Sequence, residues 1–311
     1  MSELLAATAT GVFTIQPGGA QQEEGPSGVH FLARGSDAVY AITDDAALWR
    51  RDTSGWRLVT NRAVPDEIWS FAADPRLPGR LYLGVSPALV YRSEDEGKTW
   101  TACESLKLIP GYETWTFPPP PHIPHVRSIA VDPNVVGGVY IGVEEGGVFR
   151  SPDGGDTWES LNEGLYWDVH TVVPAAAGSD LYATTGAGFH VSADSGEHWE
   201  HVPLPHRYTV PLLATRDDGA LITVAAEGPP PTWTNGVRGA IYRSRDSGRT
   251  WDRLGKGLPK QLDKMARGLI EDDAGRICTA VGGQVLASED GGDSWQVLVQ
   301  DLPEVRDLVS A

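Results

Sequence analysis

Cysteine is nearly absent. The 311 residues hold only Cys103 and Cys278, too few for a disulfide framework and with no zinc-ligand spacing. Basic residues are scarce as well: 25 Lys and Arg stand against 42 Asp and Glu, a formal charge of −17. That shortfall excludes nucleic acid and an anionic membrane surface as partners, since both demand basic patches. The surplus of acid reads first as a solubility device. No apolar run approaches the roughly 18 residues of a membrane helix. The opening Met1-Ser2-Glu3-Leu4-Leu5 lacks the basic segment and apolar stretch of a signal peptide, so the expected location is cytoplasmic.

What is abundant is a phrase. It reads Ser-Glu-Asp-Glu-Gly-Lys-Thr-Trp at 93–100 and Ser-Pro-Asp-Gly-Gly-Asp-Thr-Trp at 151–158. It returns as Ser-Ala-Asp-Ser-Gly-Glu-His-Trp at 192–199 and Ser-Arg-Asp-Ser-Gly-Arg-Thr-Trp at 244–251. The last full copy is Ser-Glu-Asp-Gly-Gly-Asp-Ser-Trp at 288–295. A worn copy occupies 51–56, and a faint one, Gln-Pro-Gly-Gly, occupies 16–19. The chemistry is that of a hairpin turn: Asp accepts backbone N–H groups two residues on, and Gly supplies positive φ. The Trp then re-enters the sheet and covers apolar surface, burying roughly 150–250 Å² for a gross gain of several kcal/mol. These Asp and Trp residues are therefore read as builders of the fold.

Around each copy the pattern is regular. In the third unit an apolar strand starts at His125, a second at Gly138, a third at Gly147, and a fourth at the turn Trp158. Copies beginning at 51, 93, 151, 192, 244 and 288 are spaced 42, 58, 41, 52 and 44 residues apart, the period of four-stranded propeller blades. The expected fold is all-β: one seven-bladed β-propeller of four-stranded antiparallel blades over 1–311. Six blades fall at about 28–60, 66–104, 125–162, 168–203, 207–255 and 264–299. The seventh is split, with strands two to four from 3–25 and its first strand from 304–311, so that the terminal strands pair and close the ring.

The phrases resemble the Asp-box, or BNR, repeat family. It includes sialidases, sortilin-type receptors, certain xyloglucanases and photosystem II assembly factor-like proteins. A sialidase would bring an arginine triad, a Tyr–Glu pair and an Asp acid. Residues of those types are present, but the Arg-Ile-Pro signature is missing and those enzymes have six blades. Xyloglucanases pair two propellers around a cleft, which makes that likeness the weaker one. The segments at 121–127, 144–147, 168–170 and 206–208 resemble bacterial proteins described as BNR-repeat glycosyl hydrolases or sialidase-like. The resemblance implies that each first strand lines the channel. It also implies that loops before first strands share one face with loops between strands two and three, opposite the Asp boxes.

Two long loops then fall on that face: 101–124, with Trp115, Phe117, a run of four prolines and His122, and 227–239, with three prolines and Trp233. Long loops on one rigid face point to function. The starts of the first strands add His30, Glu67, Trp69, His125, Arg127, Asp168, His170, Tyr208, Arg267 and Arg306, and a neighbouring loop adds Glu144 and Glu145. Three readings stay open. In the first, one divalent transition-metal ion is held by His122, His125 and His170 with Glu144 or Asp168. In the second, acid–base chemistry uses His125 or His170 as base, Tyr208 as acid and Arg127 to neutralise a substrate carboxylate, with Asp168 beside them. This suits a hydrolase or lyase acting on an anionic sugar or small acid. In the third, His30, Glu67, Trp69, Trp115, Glu144, Arg267 and Arg306 help to bind a sugar or acid without chemistry. Against all three stands a salt-bridged polar plug filling the channel of a protein-interaction scaffold.

Overall fold

A computed structural model describes residues 3–16 and 18–311. Met1, Ser2 and Pro17 of the faint phrase lie outside the described residues. The strands form seven sheets of four antiparallel strands each, as the period demands. We number the blades in chain order. Blades 1 to 6 begin with the innermost strands Val29–Arg34, Glu67–Ala73, Val126–Val131, Val169–Pro174, Tyr208–Ala214 and Ala266–Glu271. Blade 7 takes its innermost strand, Val305–Ser310, from the C-terminal end and the next, Leu4–Thr8, from the N-terminal end. Leu4 faces Ser310 and Ala6 faces Leu308 across that antiparallel pair. Among the described residues no helix is long and apolar enough to cross a membrane.

The core is distributed. Apolar side chains collect between successive blades: Leu5 and Val12 of blade 7 with Val29 and Val39 of blade 1, for example, and Leu221 and Tyr242 of blade 5 with Tyr182 and Phe189 of blade 4. Trp49 joins the first of these groups and packs between blades. Each blade buries one face against the next, so the ring is the unit of stability.

The repeated phrase makes the same turn five times, with one departure from the expected bonding. The Asp carboxylate accepts the N–H four residues on, not two: Thr99 N donates to Asp95 Oδ1 at 2.9 Å while Thr99 Oγ1 donates to Oδ2 at 2.7 Å. The Ser hydroxyl does the shorter-range work, accepting from Gly97 N at 2.8 Å and donating to Asp95 Oδ1 at 2.9 Å. Its copies at Ser151, Ser192, Ser244 and Ser288 repeat this pattern. The fourth strand starts one residue after the Trp, at Thr101 in blade 2.

A second repeated device was invisible in the sequence. Innermost strands carry a bulge close to their first residue. In blade 3, Val126 pairs Val143 and Ser128 pairs Gly142, which leaves Arg127 as the extra residue. The same step leaves His170 in blade 4, His30 in blade 1, Trp69 in blade 2 and Arg306 in blade 7. A bulge turns its extra side chain out of the pleat, and here it does so at the entrance of the channel.

Candidate functional site

The cavity of about 1210 Å³ at this entrance is lined by residues of blades 3 to 6 and by the two long loops. Phe117, Pro118 and Pro119 come from the first loop, and Pro229, Pro230, Pro231 and Trp233 from the second. Both surpluses do share one face. A short 3₁₀ turn, Pro230–Thr232, holds the second loop, and Trp233 Nε1 donates to the Gly228 carbonyl at 2.7 Å. The polar wall consists of Arg127, Glu144, Asp168, Arg207, Tyr208 and Arg267.

Glu144, only 5% exposed, is the hub. Its Oε2 accepts from Arg127 Nη1 and lies 3.0 Å from His125 Nε2. Burial alone would raise its pKa; the hydrogen bond from His125 and the charge of Arg127 overcome that and hold the carboxyl at about 2. Its neighbour Glu145 faces a smaller cleft with Trp115 and Trp167 instead. Burial, together with the carboxylates of Asp168 and Glu144, pushes the Glu145 pKa up.

His170 is 2% exposed. Its Nδ1 bonds the Thr209 carbonyl, which can only accept, so Nδ1 is the donor of that pair. Its Nε2 lies 3.4 Å from Asp168 Oδ1, and both atoms are buried without a hydrogen-bond partner. Glu144, Asp168 and His170 each present a ligand atom within 4.8 Å of the others. The Tyr208 ring lies 4.5 Å from that of His170, and burial pushes its hydroxyl up to about 12. Arg267 and Arg207 have no ion pair among the described residues, and burial with the nearby charge of Arg127 pulls the Arg267 pKa down.

The structure therefore brings together Arg127, Glu144, Asp168, His170, Tyr208 and Arg267. The others lie elsewhere. His125 is wholly buried behind the wall, stacked at 3.5 Å on Trp69, so it supports Glu144 and does not face the cavity. His122 is exposed, with Nδ1 2.8 Å from the Phe117 carbonyl, and it stands apart from the ligand cluster. Trp115 packs on Phe149 and Tyr112. His30 and Glu67 line a separate hollow of about 650 Å³. Arg306 is tied to Asp44 of that hollow at 2.8 and 2.9 Å. Tyr166 and the turn at Gly186 and Ala187 complete the wall. Tyr166, two residues ahead of Asp168, was legible as part of a loop before a first strand but carried no charge to mark it.

No family model matches the chain. It is similar to a xyloglucanase of a Paenibacillus species, 25% identical over 331 residues, covering 86% of this chain and 30% of that one. The chain spans about a third of the length of the curated relatives it matches. The weaker likeness on the repeats is thus the one that sequence comparison returns. Among solved structures it resembles the GH74 xyloglucanase from Xanthomonas campestris, with a TM-score of 0.65 and 19% identity over 97% of this chain and 47% of that one. It also resembles YCF48 bound to D1 peptide, with a TM-score of 0.59 and 18% identity over 95% and 83%. These structural likenesses show the fold.

Proposed function

We propose that this chain is a hydrolase-type propeller that binds a negatively charged sugar or small acid in the cavity of blades 3 to 6 and cleaves it there. One observation carries the reading. Asp168 lines the cavity with His170 Nε2 3.4 Å from its Oδ1, on the same wall as the Arg267 and Arg207 guanidinium groups, which make no ion pair among the described residues. Arg267 and Arg207 hold the negative group, while Trp233, Phe117 and the prolines supply flat apolar surface for a ring. A water between the ligand and the His170–Asp168 pair gives up a proton to the Asp168 carboxylate as its oxygen bonds to the attacked carbon. The carbon–oxygen bond to the leaving group breaks, and the departing oxygen takes the Tyr208 proton, which the raised pKa keeps in place at neutral pH. The similarity to a protein named xyloglucanase supports carbohydrate as the ligand class and hydrolysis as the reaction class.

A second reading has its own support. Arg127 and His125 are both bonded to Glu144 without a ligand, as in the channel plug of a binding scaffold, and YCF48, a neighbour of similar length, was solved with a peptide. A reducing-end assay over acidic and neutral oligosaccharides separates the two. Cleavage is expected to fall at least 100-fold in kcat in His170→Ala and to show a raised KM in Arg267→Ala. A folded wild-type chain that turns over no member of the panel and binds a protein partner unchanged in both variants would establish the scaffold instead.

A further inference from the structure

We infer that Glu144, Asp168 and His170 form a three-ligand centre for one divalent transition-metal ion on the wall of this cavity. The inference rests on the reading that this wall activates a water, and it names the means. Three observations lead to it.

The first is the pairing of His170 and Asp168. With Nδ1 donating to the Thr209 carbonyl, the other ring nitrogen, Nε2, faces Asp168 Oδ1 at 3.4 Å, outside hydrogen-bond geometry. Neither has a hydrogen-bond partner, and His170 is 98% removed from solvent, at 2% exposure. A buried imidazole nitrogen and a buried carboxylate oxygen that face each other without a hydrogen bond are satisfied by a cation between them.

The second is the third ligand. Glu144 commits Oε2 to His125 and Arg127, while Oε1 has no hydrogen-bond partner among the described residues, and its carboxylate lies within the same 4.8 Å set. An ion about 2.0–2.2 Å from nitrogen and oxygen ligands spans nearly that separation. One imidazole with two carboxylates suits zinc, manganese or ferrous iron, whereas magnesium and calcium favour oxygen alone.

The third is the support around the ligands. A carbonyl on the far nitrogen of His170 and an imidazole on Glu144 are the outer partners that fix a ligand's tautomer and orientation. Three protein ligands leave coordination positions open toward the cavity, where a bound water would be acidified to near neutrality. The sequence-level set differs by two residues: His122 points away, and His125 holds a ligand but is not one.

Asp194, Glu197 and His198 also cluster, but on the surface, where His198 Nδ1 lies 2.8 Å from the Asp194 carboxylate of a repeated turn. That cluster serves as the control. The test uses the full chain without a His-tag, stripped with EDTA and titrated calorimetrically with ZnCl2 and MnCl2. Wild type and His198→Ala should each take up about one ion per chain. Asp168→Asn and His170→Gln should bind at least tenfold more weakly while keeping the wild-type far-UV spectrum. The Mn(II) resonance of wild type should show nitrogen coupling, and Asp168→Asn should weaken the signal even if His170→Gln fails to fold. Absence of uptake by wild type at micromolar metal, or uptake that Asp168→Asn leaves unchanged, overturns the centre. The two proposals part cleanly. Metal uptake without any cleavage upholds the centre and removes the hydrolase, whereas cleavage by a wild-type chain that takes up no metal upholds the hydrolase and removes the centre.

Discussion

A carboxylate taken out of water must have its charge answered, and Glu144 is answered twice, by Arg127 and by His125. Its pKa near 2 lies below the ordinary 4.5. A depressed carboxylate contributes stability that is present above the unfolded value and lost as pH falls toward the folded one. Glu144→Gln should therefore flatten the acid limb of the stability profile between about pH 4.5 and 2. At pH 7 it should cost on the order of 2–3 kcal/mol, measured by urea unfolding across that range. At this scale the sequence yields residue types and little else. The openings of the first strands announced Arg127, Asp168, His170 and Arg267, because charged and imidazole groups at the start of an apolar strand have no packing purpose. It could not separate Glu144 from Glu145, whose only difference is which way a two-residue turn points them. Nor could it show that His122, at a φ of 65°, turns outward while His125, three residues on, turns under Trp69.

Elements explain why those types reach one place. The turn phrase was readable because it repeats in composition, and its Ser and Asp side chains are bonded alike in all five full copies. Its glycines are positions of real constraint. Gly248 has a φ of +83°, and a Cβ there would lie 2.2 Å from Cε1 of the buried Phe189 on the preceding blade. Gly219 has a φ of +66° with open space around it. Gly248→Ala should destabilise by more than 2 kcal/mol and Gly219→Ala by about 1 kcal/mol, a difference that thermal denaturation of the two variants would resolve. Equal losses would mean that backbone conformation alone sets the requirement. The strand bulge, by contrast, left no trace in composition. One extra residue in a six-residue strand changes no periodicity that can be counted, yet it is what presents Arg127 and His170 at the entrance. The seven-blade count followed from spacing. The confinement of the cavity to four blades did not, because it depends on how far two proline-rich loops lean over the ring.

The molecule as a whole stands or falls with its closure. Blade 7 is assembled from both ends of the described chain, with Ala311 N donating to the Glu3 carbonyl at 2.7 Å. Asp307 Oδ2 accepts from Leu32 N at 2.9 Å and links that blade to blade 1. Removing 305–311 would leave Leu4–Thr8 as an open edge. The truncated chain should melt earlier, over a broader range, and self-associate, as calorimetry and light scattering would register. A truncated chain that melts as sharply as the full one would show that the blades stand alone.

Because Leu4–Thr8 and Val305–Ser310 sit side by side in one sheet, the ring itself does not depend on which blade the chain enters first. A ring rearranged to start at blade 2, with Glu3 and Ala311 joined by a short linker, would keep the same seven sheets with its seam moved. The four blades around the cavity would still be translated in unbroken succession, and the ligand would meet the same wall.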